Sequence, residues 1–141
     1  MIKPGKVPLL GREFVHGAQD CLSLVLDYYL REKGIDLGDY HRDDEWWNKG
    51  QNLYLDNLPK AGFTQVQDLR DGDLILMQIR SPVPNHAGIY LESGELKSED
   101  LPHIQPGVVL HHLHGRLSTR DVYARGMFEE TTVSIWRHRD A

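Results

Sequence analysis

The spacing of apolar and polar residues changes partway along the chain, dividing it into a helical N-terminal part and a strand-rich C-terminal part. From Asp20 to Lys33, the residues Asp20, Ser23, Asp27 and Arg31 recur at helical spacing as a polar stripe. Cys21, Leu22, Leu24, Val25, Leu26, Tyr28 and Tyr29 fill the rest of the circumference, which predicts a largely buried helix. Asp20 suits the N-cap, because its carboxylate accepts from the first backbone N–H groups. Gly34 suits the stop, because a left-handed backbone is inexpensive there. A second helix is expected over Asn52 to Lys60, and Asp43, Asp44 and Glu45 are placed to start a helical turn carrying Trp46 and Trp47.

Beyond Gly62 the pattern becomes that of strands. Asp71-Gly72-Asp73 signals a turn, and an apolar strand follows over Leu74 to Ile79. Ser81 to Asn85 reads as a loop, His86 to Leu91 as a second strand, Val108 to Leu113 as a third and Thr131 to Trp136 as the last. Lys3 to Gly11 reads as an extended lead-in. Glu92 to Gly107 carries Glu92, Glu95, Glu99 and Asp100, and is expected as a solvated surface loop, with a lid or docking arm as the second reading. Helices first and strands after predict an α+β fold in which N-terminal helices pack on an antiparallel β-sheet. A length of 141 residues suits one domain spanning residues 1–141.

Composition narrows the functional classes. Apolar residues at 40% and charged residues at 26% are ordinary for a globular chain, and no apolar run is long enough to span a membrane. Val7 to Leu10, broken by Pro8, is too short for a signal-peptide core, so synthesis and folding in a cytoplasm are expected. A formal net charge of −5 without a basic stripe argues against a nucleic-acid partner. One cysteine rules out an internal disulfide and a multi-thiolate zinc site, which leaves Cys21 as either a packing residue or a reactive thiol.

Position favours reactivity as far as one residue can. A cysteine attacks as the thiolate, and the positive end of a helix together with a histidine lowers the thiol pKa. Cys21 sits in the first turn, next to Asp20, where backbone N–H groups are also placed to stabilise an oxyanion. His86 opens an apolar strand beside a proline-rich loop and is the better candidate base. A third group is needed to orient that base, and Leu110-His111-His112-Leu113-His114 offers three. Alternation puts His111 on one face and His112 with His114 on the other without choosing between them. Taken singly, a free cysteine in an apolar helix is more often packing than catalytic. The cluster His111, His112 and His114 also suggests a metal-dependent hydrolase, but no thiolate or carboxylate set completes such a site, and the thiol chemistry needs no cofactor. His16, His41, His103 and His138 take no role.

Read together, the motifs go further. Phe14-Val15-His16-Gly17-Ala18-Gln19-Asp20-Cys21-Leu22-Ser23-Leu24-Val25 resembles the aromatic-x-x-Gly and Asp-Cys-Ser-Gly-Leu-Val segment of NlpC/P60 peptidases. Asp71-Gly72-Asp73-Leu74-Ile75 is similar to that family's Pro-Gly-Asp-Leu strand entry, and His86-Ala87-Gly88-Ile89-Tyr90-Leu91 to its His-Val-Gly-Ile-Tyr strand. Gly11 to Gly17, Trp46 to Asn57, and Leu110 to Ser118 with Asp121-Val122-Tyr123 resemble the members found in phage tail tips.

The resemblance implies a papain-like fold and a triad of Cys21 as nucleophile, His86 as base and His111 as orienting residue. Phe14, Trp46 and Trp47 are candidate groove residues. It also implies hydrolysis of a γ-D-glutamyl–diaminopimelate or related bond in a peptidoglycan peptide, with phage tail-tip proteins as partners. The implied location is the virion tail tip, after synthesis in a host bacterial cytoplasm, with action at the host cell wall to assist genome entry. A catalytically silent structural subunit of the tail tip is the alternative. Two departures stand out. Phe14 replaces a tyrosine whose hydroxyl assists near the oxyanion in the family, leaving backbone N–H groups for that task, and Ser23-Leu24 displaces the usual Ser-Gly.

Overall fold

Asp20 and Gly34 delimit the first helix as their chemistry requires. In the computed structural model, which describes residues 8–38 and 53–141, helix α1 runs over Cys21–Lys33. The Asp20 carboxylate accepts from the Ser23 backbone N–H at 2.9 Å, and Gly34 adopts the left-handed conformation at φ 68°. A cap of this kind is worth about 1 kcal/mol. Helix α2 covers Leu53–Asn57 and ends short of the expected Lys60, because the chain turns from Leu58 toward a strand; the expected start at Asn52 lies outside the described residues. The expected turn bearing Trp46 and Trp47 lies outside the described residues.

Six strands follow: β1 (Phe63–Val66), β2 (Leu74–Met77), β3 (His86–Leu91), β4 (Val108–His111), β5 (Thr119–Val122) and, after the short helix α3 (Met127–Glu130), β6 (Thr132–His138). They form one sheet in the order β1-β6-β2-β3-β4-β5, antiparallel throughout. The result is the expected α+β arrangement with α1 on an antiparallel sheet.

Side-chain alternation sorts the two faces. Leu74, Leu76, Ala87, Ile89, Leu91, Val108 and Leu110 pack with Leu22, Leu24, Val25, Tyr28 and Tyr29 of α1. Ile75, Met77 and Val109 face the other way and pack with Tyr90, Tyr123 and Phe128. Central strand β2 is therefore buried on both faces, which explains its unbroken Leu-Ile-Leu-Met run.

Several expected boundaries move. The strand expected over Leu74 to Ile79, β2, ends at Met77, because Asn85 N–H bonds the Met77 carbonyl and closes the hairpin. The strand expected over Val108 to Leu113, β4, ends at His111, where the backbone turns toward Arg116. The last runs to His138, two residues beyond Trp136, because β1 pairs with it there.

Glu92 to Gly107 is anchored rather than simply solvated. Its ends close by a Gly107 N–H to Glu92 carbonyl bond, Leu96 is buried, and Leu101 and Ile104 pack on the core. Glu99 accepts from the Leu9 N–H, and Glu32 of α1 accepts from the Lys97 and Ser98 N–H groups. The N-terminal segment is strapped down as well. The Gly11 N–H donates to the Ser118 carbonyl, and buried Arg12 pairs with Asp27 at 2.8 Å.

Gly88 sets the spacing between β3 and β4. A Cβ placed there would lie 2.5 Å from Val109 Cγ2, 3.0 Å from the Leu110 carbonyl oxygen and 3.1 Å from His111 Cβ. Gly88→Ala is therefore expected to destabilise the fold by about 1–3 kcal/mol, the range for overpacking a core. Urea unfolding checks this, and an unchanged midpoint would contradict the close approach.

Candidate active site

The nucleophile candidate is set by a turn that the sequence motif encodes. Val15 and Gln19 exchange two backbone hydrogen bonds around His16-Gly17-Ala18, with Gly17 at φ 79° supplying the left-handed step. The Gly17 N–H then donates to the second oxygen of Asp20 at 2.9 Å. One carboxylate thus ties the turn to the helix start and presents Cys21 in the first turn of α1. The glycine and aspartate that precede the cysteine have a geometric reason.

Cys21 lines a groove of about 520 Å³ together with Phe14, His86, His112 and His114. Its sulfur lies 3.0 Å from the Tyr54 hydroxyl of α2 and 3.9 Å from the carbonyl oxygen of Asn85, the residue before His86. Phe14 forms part of the wall, meeting His112 and His114 edge-on with ring centres 5.2 and 4.7 Å away. Trp46 and Trp47 cannot be placed, since they lie outside the described residues.

His86 belongs to the sheet face opposite α1, but it is the first residue of β3 and so reaches the groove at the strand end. Of the three histidines near the end of β4, His111 is the one bonded to it: His86 Nε2 and His111 Nδ1 are 2.8 Å apart. His111 in turn bonds Asp121 of β5, Nε2 to Oδ2, at 2.7 Å. Gly88 pairs with His111 and Val109 with Asp121, so both bonds join neighbours on one face of the sheet.

Protonation follows from this order. The His111 bond holds the Asp121 carboxyl below the usual range, so Asp121 is an ionised acceptor. That carboxylate takes the His111 Nε2–H, and in the tautomer that leaves the lone pair on Nδ1 this nitrogen accepts from His86. His86 must donate from Nε2, which leaves its own lone pair on Nδ1. Burial, reinforced by the neighbouring His111 and His112 rings, pushes the His86 pKa well below that of a free imidazole, so the ring is neutral at neutral pH.

The remaining histidines do not converge. His112 donates Nε2–H to the Arg116 carbonyl at 2.7 Å, and His114 packs on Phe14. Among the described residues, no group of three His, Cys, Asp or Glu side chains is arranged to hold a metal ion, so the metal-dependent alternative has no ligand set there. The structure also brings in two residues that the sequence reading missed, Tyr54 and Asp121. Asp121 stood within a motif resembling the family. Its pairing with His111 follows only once β5 is known to lie beside β4.

Comparison with known proteins accords with this arrangement. A sequence model of the NlpC/P60 family matches residues 11–137. The chain is similar to tail tip assembly protein K of Escherichia phage lambda, with 44% identity over 133 residues that cover 93% of this chain and 59% of that protein. It is also similar to tail tip assembly protein K of Escherichia phage N15, with 39% identity over 139 residues covering 96% and 51% respectively. The chain therefore spans between half and three fifths of the length of these relatives.

The depressed pKa of His86 has a consequence for folding. Below about pH 6.5 the unfolded chain protonates this histidine while the folded chain resists, so stability falls with pH there. Above that pH the group contributes no pH dependence. His112 is shifted the same way, chiefly by burial, and adds to the slope. Urea unfolding at pH 7.5 and 5.5 is expected to show a loss of about 1 kcal/mol from His86. The loss should shrink in His86→Asn, and an equal loss in both proteins would count against a buried neutral ring.

Proposed function

Because the chain belongs to the NlpC/P60 family, we propose that it is a cysteine peptidase that cleaves a peptidoglycan peptide, with Cys21 as nucleophile, His86 as base and His111 as orienting residue. The observation that carries this reading is that Cys21 and His86 line one groove while His86 is held from behind by His111. His86 Nδ1 takes the thiol proton, and the sulfur attacks the amide carbonyl carbon. The first-turn N–H groups of α1 stabilise the oxyanion. As the C–N bond breaks, His86 returns the proton to the leaving amine. Water, deprotonated by His86, then attacks the thioester and releases the acid and the thiol.

Asp121 and Tyr54 address the two charges formed on the way. Burial disfavours an imidazolium at His86, and the Asp121 carboxylate, two hydrogen bonds away, offsets that cost. The Tyr54 hydroxyl, 3.0 Å from the sulfur, donates to the thiolate. It supplies from α2 the hydroxyl that Phe14 lacks, so assistance near the sulfur does not fall to the backbone alone.

The names of the two relatives place them in tail tip assembly, and we extend that setting to this chain. It is synthesised in the host bacterial cytoplasm, joins tail-tip proteins in the virion and cuts a γ-D-glutamyl–diaminopimelate type of bond in the host wall, assisting genome entry. Those same names mention assembly alone, which favours the second reading of a silent structural subunit. Among the described residues, no helix is long and apolar enough to cross a membrane.

Purified protein incubated with muropeptides is expected to release cleaved product, and Cys21→Ala to release none. Equal product from both would remove the nucleophile. A phage carrying Cys21→Ala separates the two readings: assembled tails with impaired infection support hydrolysis, whereas normal infection supports the structural role. Tyr54→Phe is expected to lower kcat/KM about tenfold, the worth of one charge-assisted hydrogen bond, and to move the pH profile of thiol alkylation upward. An unmoved profile would dissociate the hydroxyl from the thiolate.

A further inference from the structure

The groove beside Cys21 differs in charge from the molecule that carries it. The chain has a formal net charge of −5, yet the described residues lining the groove include Arg80, Arg116 and three histidines and no Asp or Glu. Arg80 is exposed, and among the described residues no ion pair engages it. A cation left unpaired in a groove of an acidic protein is an unused binding group.

Arg80 is also held there against its backbone preference. Its φ is 49°, in the left-handed region that a residue with a Cβ seldom adopts. Asn85 spans the turn, accepting from the Ile79 N–H at 2.8 Å and donating to the Ile79 carbonyl at 3.0 Å. Gln78 Nε2 donates to the Ser81 carbonyl at 2.9 Å. The same Asn85 presents its own carbonyl to the Cys21 sulfur. One residue therefore fixes the turn bearing Arg80 relative to the nucleophile, as a specificity group requires and a free surface loop does not.

We infer that Arg80, supported by Arg116, forms a carboxylate-binding subsite beside Cys21, and that the favoured substrate is a peptide with a free carboxylate close to the scissile bond. The guanidinium fork matches a carboxylate in two hydrogen bonds, which neither a carboxamide nor an ester reproduces. This inference rests on the proposed hydrolysis, and it assigns the recognition step to two named side chains.

The test uses two synthetic γ-D-glutamyl peptides identical except that the glutamyl α-carboxyl is free in one and a carboxamide in the other. Wild type is expected to favour the acid by about tenfold in kcat/KM, as for a hydrogen bond to a charged group. Arg80→Gln should bring the ratio near one, and Arg80→Lys should restore part of it. Equal cleavage of both peptides by wild type, or a preference undiminished in Arg80→Gln, overturns the subsite. Calorimetric binding of both peptides to Cys21→Ala reads the same preference without turnover. If wild type cleaves neither peptide, the hydrolase reading fails, while a tenfold tighter acid that depends on Arg80 still supports the subsite and equal affinities overturn it.

Discussion

The 2.8 Å hydrogen bond between His86 and His111 is the constraint around which the rest of the molecule is arranged. It needs two strands in fixed register, a bare glycine that lets them close, and a carboxylate on a third strand to fix which nitrogen carries the proton. Burial of His86 favours the neutral ring over the imidazolium that taking up a proton would create, because a cation there would be desolvated. Asp121 relieves that conflict from the sheet edge, where its carboxylate keeps partial access to water.

Placing His86 on the face opposite α1 looks at first like a poor way to meet a thiol on that helix. The strand end resolves it. His86 is the first residue of β3, so its ring sits where the sheet stops, and the preceding Asn85 carbonyl already lies beside the sulfur. The apolar contacts between α1 and the sheet fix the height of the helix above β3, and the Asp20 cap fixes where the helix begins. Packing on one face thereby sets a distance across to the other.

How much of this was legible in the sequence depends on how far apart the interacting residues are. The ends of α1 were readable because Asp20 and Gly34 act on residues next to them. β2 and β3 were readable because burial leaves long apolar runs. β1 and β5 were not, since they lie at the sheet edges and are largely solvated, with Thr, Gln, Arg and Asp in place of alternating apolar residues. Missing β5 meant missing the partner of His111. Alternation likewise could not choose among the three histidines, because β4 ends at His111 and the period it presumed does not reach His112 or His114. Tyr54 was invisible for a related reason, lying 33 residues from the sulfur it touches.

The two ends of β3 have been given over to different purposes. At the His86 end, the ring is bonded to His111 and lines the groove that holds Cys21. At the Leu91 end, the segment from Glu92 to Gly107 is fastened to Glu32, Leu9 and Arg120 by its own bonds, away from the groove. One strand thereby separates two tasks: its first residue faces the groove, and the excursion after its last residue ties the N-terminal segment and α1 to the edge strand β5.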